Sequence, residues 1–524
     1  MRADSAVRTG RGTLDLRPEA ALLAAAVVAC GGHRLFHLGF YHDDWAVFAP
    51  MYFARPGLAS YAAALVASSR ALLFRPFDVV FYACQYACFG LNPVPWQLTL
   101  LGLNFLLACA VHRLLRRYGA GDRLALLGAA LFLAYPSKDA TMFWPIVGVN
   151  SAALLAFVAA FLAHLEFVAT RRRAYLAASA GLLLLSLCTY DQCFFFALLW
   201  PLTPTALAKP PSRAAVESAL CALGVTALFA AYKFWFVGRF LGVEFNKTVI
   251  FSAAHVLSTY RDGVAASLGP GLMSYALTSA LDAFRRSPVV AAAAVVLPWA
   301  LFRRSGSAPS PDRRALVLLG LGVFALGYLP VAFSDYYAVF VNHMNRLNQA
   351  PALGLALAAA GLAPARGAGA RLAAGAGCAL AAVFLAAHVA FAEYWMESYR
   401  QQLGVRDLIR RHASEWPVEA TLLLMLPSRF VADKAPIFIA DWDIGGASAI
   451  WTDEPRRRAM VLDERTDFTP AGVAARRGAA PPRSRTSRCG CSSPPRGPSP
   501  GSSTGTSSAG PDDPWKRPAR ASAS

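Results

Sequence analysis

Ile146–Val168 reads IVGVNSAALLAFVAAFLAHLEFV, and three arginines, Arg171 to Arg173, follow it. A hydrocarbon core of ~30 Å needs about 20 apolar residues to be crossed as a helix. Arginines just beyond such a run mark its cytoplasmic end. Working outward, similar runs lie near 19–38, 95–112, 123–136, 174–190, 193–208, 214–237, 288–302, 315–333, 348–363 and 371–391. The expectation is an all-α polytopic membrane protein with about eleven transmembrane helices.

Composition agrees. The 524 residues are 56% hydrophobic and 15% charged, with mean hydropathy +0.41, whereas a soluble domain carries about 25% charged residues. The net charge of +19 does not point to nucleic acid, because the arginines are scattered over short loops and the last part of the chain. With Arg2, Arg8, Arg11 and Arg17 in a cytoplasmic segment 1–18, the inner loops contain Arg113, Arg116, Arg117 and Arg123; Arg171 to Arg173; Lys209 and Arg213; Arg303, Arg304, Arg313 and Arg314; and Arg366 and Arg371. Every inner loop is basic, as the positive-inside rule requires. The count depends on keeping 193–208 as a span despite Pro201 and Pro204. Residues 71–90, interrupted by Arg75, Pro76 and Asp78, read as an interfacial helix.

The expected outer side holds 39–94, 137–145, 190–192, a long loop at 238–287, 334–347 and everything after 392. Asp43, Asp44, Asp78, Asp139, Asp191, Glu244, Asp262, Asp282 and Asp335 all fall there. Within 19–392, the expected transmembrane domain, most of the ten cysteines lie in or beside apolar helices, where Cys packs as a small hydrophobe. No paired zinc spacing occurs, and the first run lacks a clear signal-peptide cleavage site. Residues 393–468 read as a small α/β extracytoplasmic domain, with a helix to Arg411 and strands at 420–426 and 436–440. From 469 to 524 the chain turns to Arg, Pro, Ser and Gly, which predicts disorder. So abrupt a change is what a frameshifted end would give, and no function is assigned to it.

Among the outer acids, Asp43-Asp44 stands out, in Tyr41-His42-Asp43-Asp44-Trp45 directly after the first span. An enzyme acting on a lipid-linked substrate would keep a catalytic base there. The pair begins an ordered series: Arg75-Pro76-Phe77; Tyr86 to Pro93, leading into a helix; the basic turn Arg113 to Arg117; Ala134-Tyr135-Pro136-Ser137-Lys138-Asp139; Phe143-Trp144-Pro145; and Cys188 to Gln192. This order resembles the GT-C class of integral-membrane glycosyltransferases, including the protein O-mannosyltransferase-like and related bacterial membrane proteins, over roughly residues 20–240. Members of that class often have His or Glu where this chain has Lys138 and Asp139.

The resemblance implies a GT-C-like fold, a polyprenyl-phosphate-linked sugar donor, and a lipid, glycan or protein acceptor in the cell envelope of a bacterial inner membrane. Such transfer needs a base for the acceptor hydroxyl and cations for the departing phosphate. Asp43 or Asp44 is the expected base. Arg75, Lys138 and Arg346 are the expected phosphate cations, with His343 beside Arg346 in one short loop. Asp139 and Asp191 would align the acceptor or pair with those cations. Trp45 or Trp144 could stack on a sugar ring. A divalent cation on Asp43, Asp44 and His42 is an open alternative, since hard cations favour carboxylates; no cofactor is otherwise expected. His33, Arg34 and His37 read as interfacial anchors. Inverting single displacement is the expected chemistry. A secondary transporter or a non-catalytic membrane assembly protein would share the polytopic layout, but internal repeats typical of transporters are not evident.

Overall fold

The computed structural model describes residues 17–204, 212–244, 249–303, 313–364, 367–462, 466–469 and 472–475. Most of the segment 1–18 and of the tail 469–524, with Cys489 and Cys491, lies outside the described residues. The protein is an α-helical membrane protein. Among the described residues, seven helices are long and apolar enough to cross a bilayer: Pro18–His37, Pro93–Arg117, Pro145–Thr170, Arg213–Phe240, Ala253–Arg286, Arg313–Ala332 and Gly367–Glu415. Leu98, Leu106, Leu184, Leu220, Leu228 and Leu321 are exposed on the bundle, as side chains meeting lipid should be.

The bundle is built from α1 (Arg17–Ala29), α5 (Pro93–Arg117), α6 (Asp122–Leu133), α8 (Gly148–Thr170), α9 (Arg173–Thr189), α10 (Arg213–Ala230), α13 (Pro288–Arg303), α14 (Arg313–Ala332), α15 (Gln349–Leu362) and α16 (Gly367–His412). Between α1 and α5 lie α2 (Asp43–Tyr52), α3 (Leu58–Ser68) and α4 (Pro76–Phe89). α7 (Ala140–Phe143) is a single turn before α8. The expected runs at 123–136, 174–190, 288–302 and 348–363 form the shorter helices α6, α9, α13 and α15. Pro136 explains why α6 stops early, since the residue before a proline is pushed out of the helical region. α14 and α15 approach at glycines: a Cβ on Gly320 would lie 2.4 Å from the Ala358 backbone nitrogen, and one on Gly354 would lie 2.5 Å from the Gly320 oxygen. Such contacts replace the hydrophobic effect where lipid is the solvent.

The described part of the run expected at 193–208, residues 193–204, is not the expected α-helix. Asp191–Leu199 is a 3-10 helix, ended by Pro201 and Pro204. The chain nevertheless changes ends here. Asp191 meets Lys233 and Arg75 at one end of the bundle, while the Tyr118 hydroxyl, just past α5, donates to the Leu202 carbonyl. Arg173 pairs with Glu217, so α9 and α10 both start at the opposite end. A 3-10 helix rises ~2.0 Å per residue against 1.5 Å for an α-helix, so it covers more depth with fewer residues. Arg116, Arg117 and Arg173 thus lie toward one end, and Asp43, Arg75, Asp191 and Arg346 toward the other.

The expected loop 238–287 is largely helical. Ala231–Phe240 continues α10 as a π-helix, and α11 (Ala253–Leu268) and α12 (Pro270–Arg286) follow, separated at Gly269-Pro270. In α12, Leu272, Ala276, Ala280 and Ala283 are buried while Met273, Leu277, Leu281 and Phe284 are exposed. That apolar stripe, ended by Arg285 and Arg286, suits a helix lying against a bilayer surface.

The boundary expected at 392/393 falls inside α16, which is 46 residues long, about 69 Å, and so extends well past a ~30 Å core. Residues 393–462 belong to the same compact unit as the bundle. Strand β1 (Thr421–Met425) pairs in parallel with β4 (Arg458–Leu462), and α17 (Asp441–Thr452) lies between them in sequence. The strand expected at 436–440 is confined to β3 (Ala435–Pro436), paired with β2 (Phe430–Val431), because Asp441 already opens α17. α17 packs on α2 so closely that a Cβ on Gly446 would sit 2.5 Å from the Trp45 oxygen. Separately, Thr466–Thr469 and Gly472–Ala475 form a hairpin, β5 and β6, in a second unit.

Candidate functional site

The acid pair sits where the chain turns from α1 into α2. His42, the residue before the helix, has φ 43° and ψ −119°, the corner of a type II′ turn that favours glycine. Holding histidine there costs about 1–3 kcal/mol. The two acids point in different directions. Asp44 points inward and is fully buried; it accepts from the backbone nitrogens of Tyr41 at 2.7 Å and Ile146 at 3.0 Å. Burial pushes its pKa well above the carboxylate range, although those bonds oppose the shift. Asp44 therefore ties α2 to the turn before α8. Asp43 points outward with 39% of its side chain exposed. Its Oδ1 accepts from Trp442 Nε1 at 2.8 Å and lies 3.2 Å from His42 Nε2. Of the pair, only Asp43 is open to a substrate.

Around Asp43 the structure gathers residues distant in sequence. His343 and Arg346 share a 3-10 turn, His343–Asn348, whose preceding Asn342 accepts from Met344 nitrogen. The Arg346 guanidinium lies 5.4 Å from the Trp144 ring and 5.7 Å from the Tyr336 ring, and Nη1 donates to the His343 carbonyl at 2.7 Å. Burial works against its charge, but Tyr190, Tyr336 and Asp43 outweigh that and hold it more firmly protonated than usual. Arg346 makes no ion pair among the described residues. The His343 ring lies 5.1 Å from His42 and is stacked with Phe430 at 6.1 Å. Burial, with Arg346 and His42 adding to it, keeps the His343 pKa well below the ordinary value, so it is a neutral hydrogen-bonding group.

Tyr190 links this group to a second one. Arg75 lies 5.0 Å from the Tyr190 ring, 3.5 Å from Asp191 Oδ2 and 4.0 Å from Asp78 Oδ2. Arg75 caps α4 and directly precedes its N-terminal proline. Lys233, from the π-helix, bonds Asp191 from the other side. Burial alone would raise the Asp191 pKa, but Lys233 and Arg75 pull it below the usual carboxylate range. Burial raises Asp78, despite Arg75. Arg75 itself is held charged because Asp191 and Asp78 outweigh its burial. Asp43, His343, Arg346, Tyr336, Tyr190, Arg75 and Asp191 are thus linked in one polar cluster at one end of the bundle.

Three expected site residues are elsewhere. Lys138 does not face outward: the 3-10 turn Pro136–Lys138 directs it into the core, where it is fully buried, 3.9 Å from Met142 Sδ and 5.0 Å from the Phe132 ring. Burial lowers its pKa to about 7, against the pull of Cys30 and Asp139. Asp139 is sealed, pairing with Lys434 at 2.7 Å and accepting from Asn345 at 2.5 Å and Trp395 at 3.0 Å. Trp45 is a core side chain, bonded to Gln402 and edge-on to Phe40 and Trp451. His33 and Arg34, expected as lipid anchors, bond Glu393 of α16, which also accepts from Ser287.

A metal on Asp43, Asp44 and His42 does not fit. Both Asp44 oxygens accept backbone N–H groups, and both His42 nitrogens face carboxylates, Asp443 at 2.9 Å and Asp43 at 3.2 Å. Among the described residues no group of three His, Cys, Asp or Glu side chains is arranged to hold a metal. Sequence reading missed Trp442, Asp443 and Lys434. The signal available for two of them was Asp441-Trp442-Asp443, a second acid and tryptophan cluster resembling Asp43-Asp44-Trp45 in composition. No protein-family model, curated protein or solved structure matches the chain.

Proposed function

We propose that the protein is an integral-membrane glycosyltransferase that moves a sugar from a polyprenyl-phosphate-linked donor to an envelope acceptor. The observation that carries this reading is Asp43, an exposed carboxylate held between Trp442 and His42 with the cation Arg346 close by. In this reading Asp43 takes the proton of the acceptor hydroxyl. The acceptor oxygen bonds to the anomeric carbon as the bond from that carbon to the phosphate oxygen breaks, with inversion. The electron pair leaves on the phosphate, whose charge meets Arg346, a planar fork suited to phosphate oxygens. Arg75 lies beyond Tyr190 for the remainder of the anion. His343 supplies a polar edge for the sugar, while the buried Trp144 backs Arg346 and His42.

About eleven crossings, counting the shorter apolar helices and the 3-10 segment, put the basic loops inside and the Asp43 cluster on the outer face of a bacterial inner membrane. The end of α16 and α17 then form an extracytoplasmic cover. Proteoliposomes supplied with a polyprenyl-phosphate-linked labelled sugar and envelope extract test the reading. Label should pass to an extract component; uptake of free sugar without transfer would favour a transporter and overturn it.

A further inference from the structure

His42 occupies a backbone corner where glycine is favoured, yet it is a buried imidazole with a carboxylate at each nitrogen. One carboxylate is sealed. Asp443 is fully buried; its Oδ2 accepts from Ile439 nitrogen at 2.9 Å and Ala440 nitrogen at 3.3 Å, and its Oδ1 from Ile444 nitrogen at 2.6 Å. A carboxylate held by three backbone donors is an acceptor only. His42 Nδ1, 2.9 Å away, must therefore donate to it. That fixes the tautomer and leaves the Nε2 lone pair directed at Asp43 Oδ1, 3.2 Å away. Two acceptors at that separation repel, and a proton arriving between them relieves the repulsion. The ring is walled by Trp144, Trp442 and His343.

We propose that Asp443, His42 and Asp43 form a proton relay serving the transfer reaction, with Asp443 positioning His42 to receive the acceptor's proton from Asp43. This rests on the glycosyltransferase reading. As the acceptor oxygen bonds to the sugar, its proton goes to the Asp43 carboxyl and then to His42 Nε2. The imidazolium so formed lies between two carboxylates, and its proton returns to water through Asp43 when product leaves. No other species is consumed. Asp443 is thus a positioning residue supplied by the C-terminal segment, which makes that segment part of the site. Besides the two carboxylates, His343 on the 3-10 turn faces the His42 ring, 5.1 Å away.

His42→Gly tests the relay, because glycine suits the backbone corner and the protein should fold. Transfer should fall ~10²-fold or more and be restored by added imidazole, increasingly as pH rises through about 7. Asp443→Asn should move the pH profile of transfer without being rescued by imidazole. Wild-type rates in His42→Gly, or a loss that imidazole does not restore with an unchanged pH profile in Asp443→Asn, would overturn the relay. A readout independent of turnover separates this from the donor reading: nitrogen NMR of histidine-labelled protein in nanodiscs. A His42 Nδ1–H signal whose Nε2 partner shifts in Asp43→Asn supports the relay even if no sugar is transferred. An Nε2 signal unaffected by Asp43→Asn overturns it.

Discussion

Asp139 and Asp43 are built from the same parts and end in opposite states. Each accepts an indole N–H, from Trp395 at 3.0 Å and Trp442 at 2.8 Å. Each has a partner from the segment after residue 430, Lys434 for Asp139 and Trp442 for Asp43. Consecutive residues of one 3-10 turn serve both, with Asn345 bonding Asp139 and Arg346 lying near Asp43. Yet Asp139 and Lys434 are fully buried and saturated, while Asp43 is 39% exposed and Arg346 makes no ion pair among the described residues. A sealed, paired carboxylate holds parts together. An open one beside an unpaired cation is available for chemistry. Residue type and proximity to tryptophan do not separate the two; burial and pairing do.

The contrast breaks first at the sealed pair. Lys434→Met leaves Asp139 uncompensated and should cost about 3–5 kcal/mol, seen as a large fall in the unfolding temperature of the detergent-solubilised protein. Adding Asp139→Leu should recover most of that loss. If Lys434→Met is as stable as wild type, the pair does not clamp the C-terminal segment to the bundle. At the open site the effects reverse. Arg346→Ala should lower transfer by about 10²-fold, as loss of one charge-stabilising donor does, with unfolding unchanged, and Arg346→Lys should restore only part of it. Equal rates in wild type and Arg346→Ala would place the leaving group elsewhere.

Lys138 gives a smaller effect with a definite sign. Its folded pKa, about 7, lies below the ordinary lysine value of about 10.4. Between those values the unfolded chain holds a proton that the folded chain lacks, so stability rises with pH across that window. Below about 7 the cost of burying the ammonium is fully present. Lys138→Met should therefore raise the unfolding temperature at pH 6 and change it little near pH 10, and equal shifts at both values would contradict that. Smallest of all, Trp45→Phe removes one bond to Gln402 and should cost about 1 kcal/mol without altering transfer. A transfer defect at normal stability would return Trp45 to the site.

The helices were legible because apolar runs and basic loops are local signals. Pro93–Arg117, Pro145–Thr170 and Arg313–Ala332 match runs read directly from the residues. The 3-10 form of Asp191–Leu199 was not legible, since its apolar composition is that of an α-helix and only Pro201 and Pro204 hinted at a break. Part of the candidate site was readable as well: Asp43, Arg75, Asp191, His343 and Arg346 belong to one linked cluster. The rest depends on contacts across some 400 positions, such as His42 with Asp443 and Asp43 with Trp442, which no local pattern encodes. Lys138 and Asp139 misled for the same reason. Whether a side chain after Pro136 turns outward or inward is set by the partners it meets, Met142 and Lys434.

The most direct test compares Asp43→Asn with wild type in reconstituted transfer from a polyprenyl-phosphate-linked labelled sugar, with both proteins matched for thermal unfolding. The account predicts transfer by wild type and a loss of at least ~10²-fold in Asp43→Asn. Equal transfer by the two proteins would contradict it.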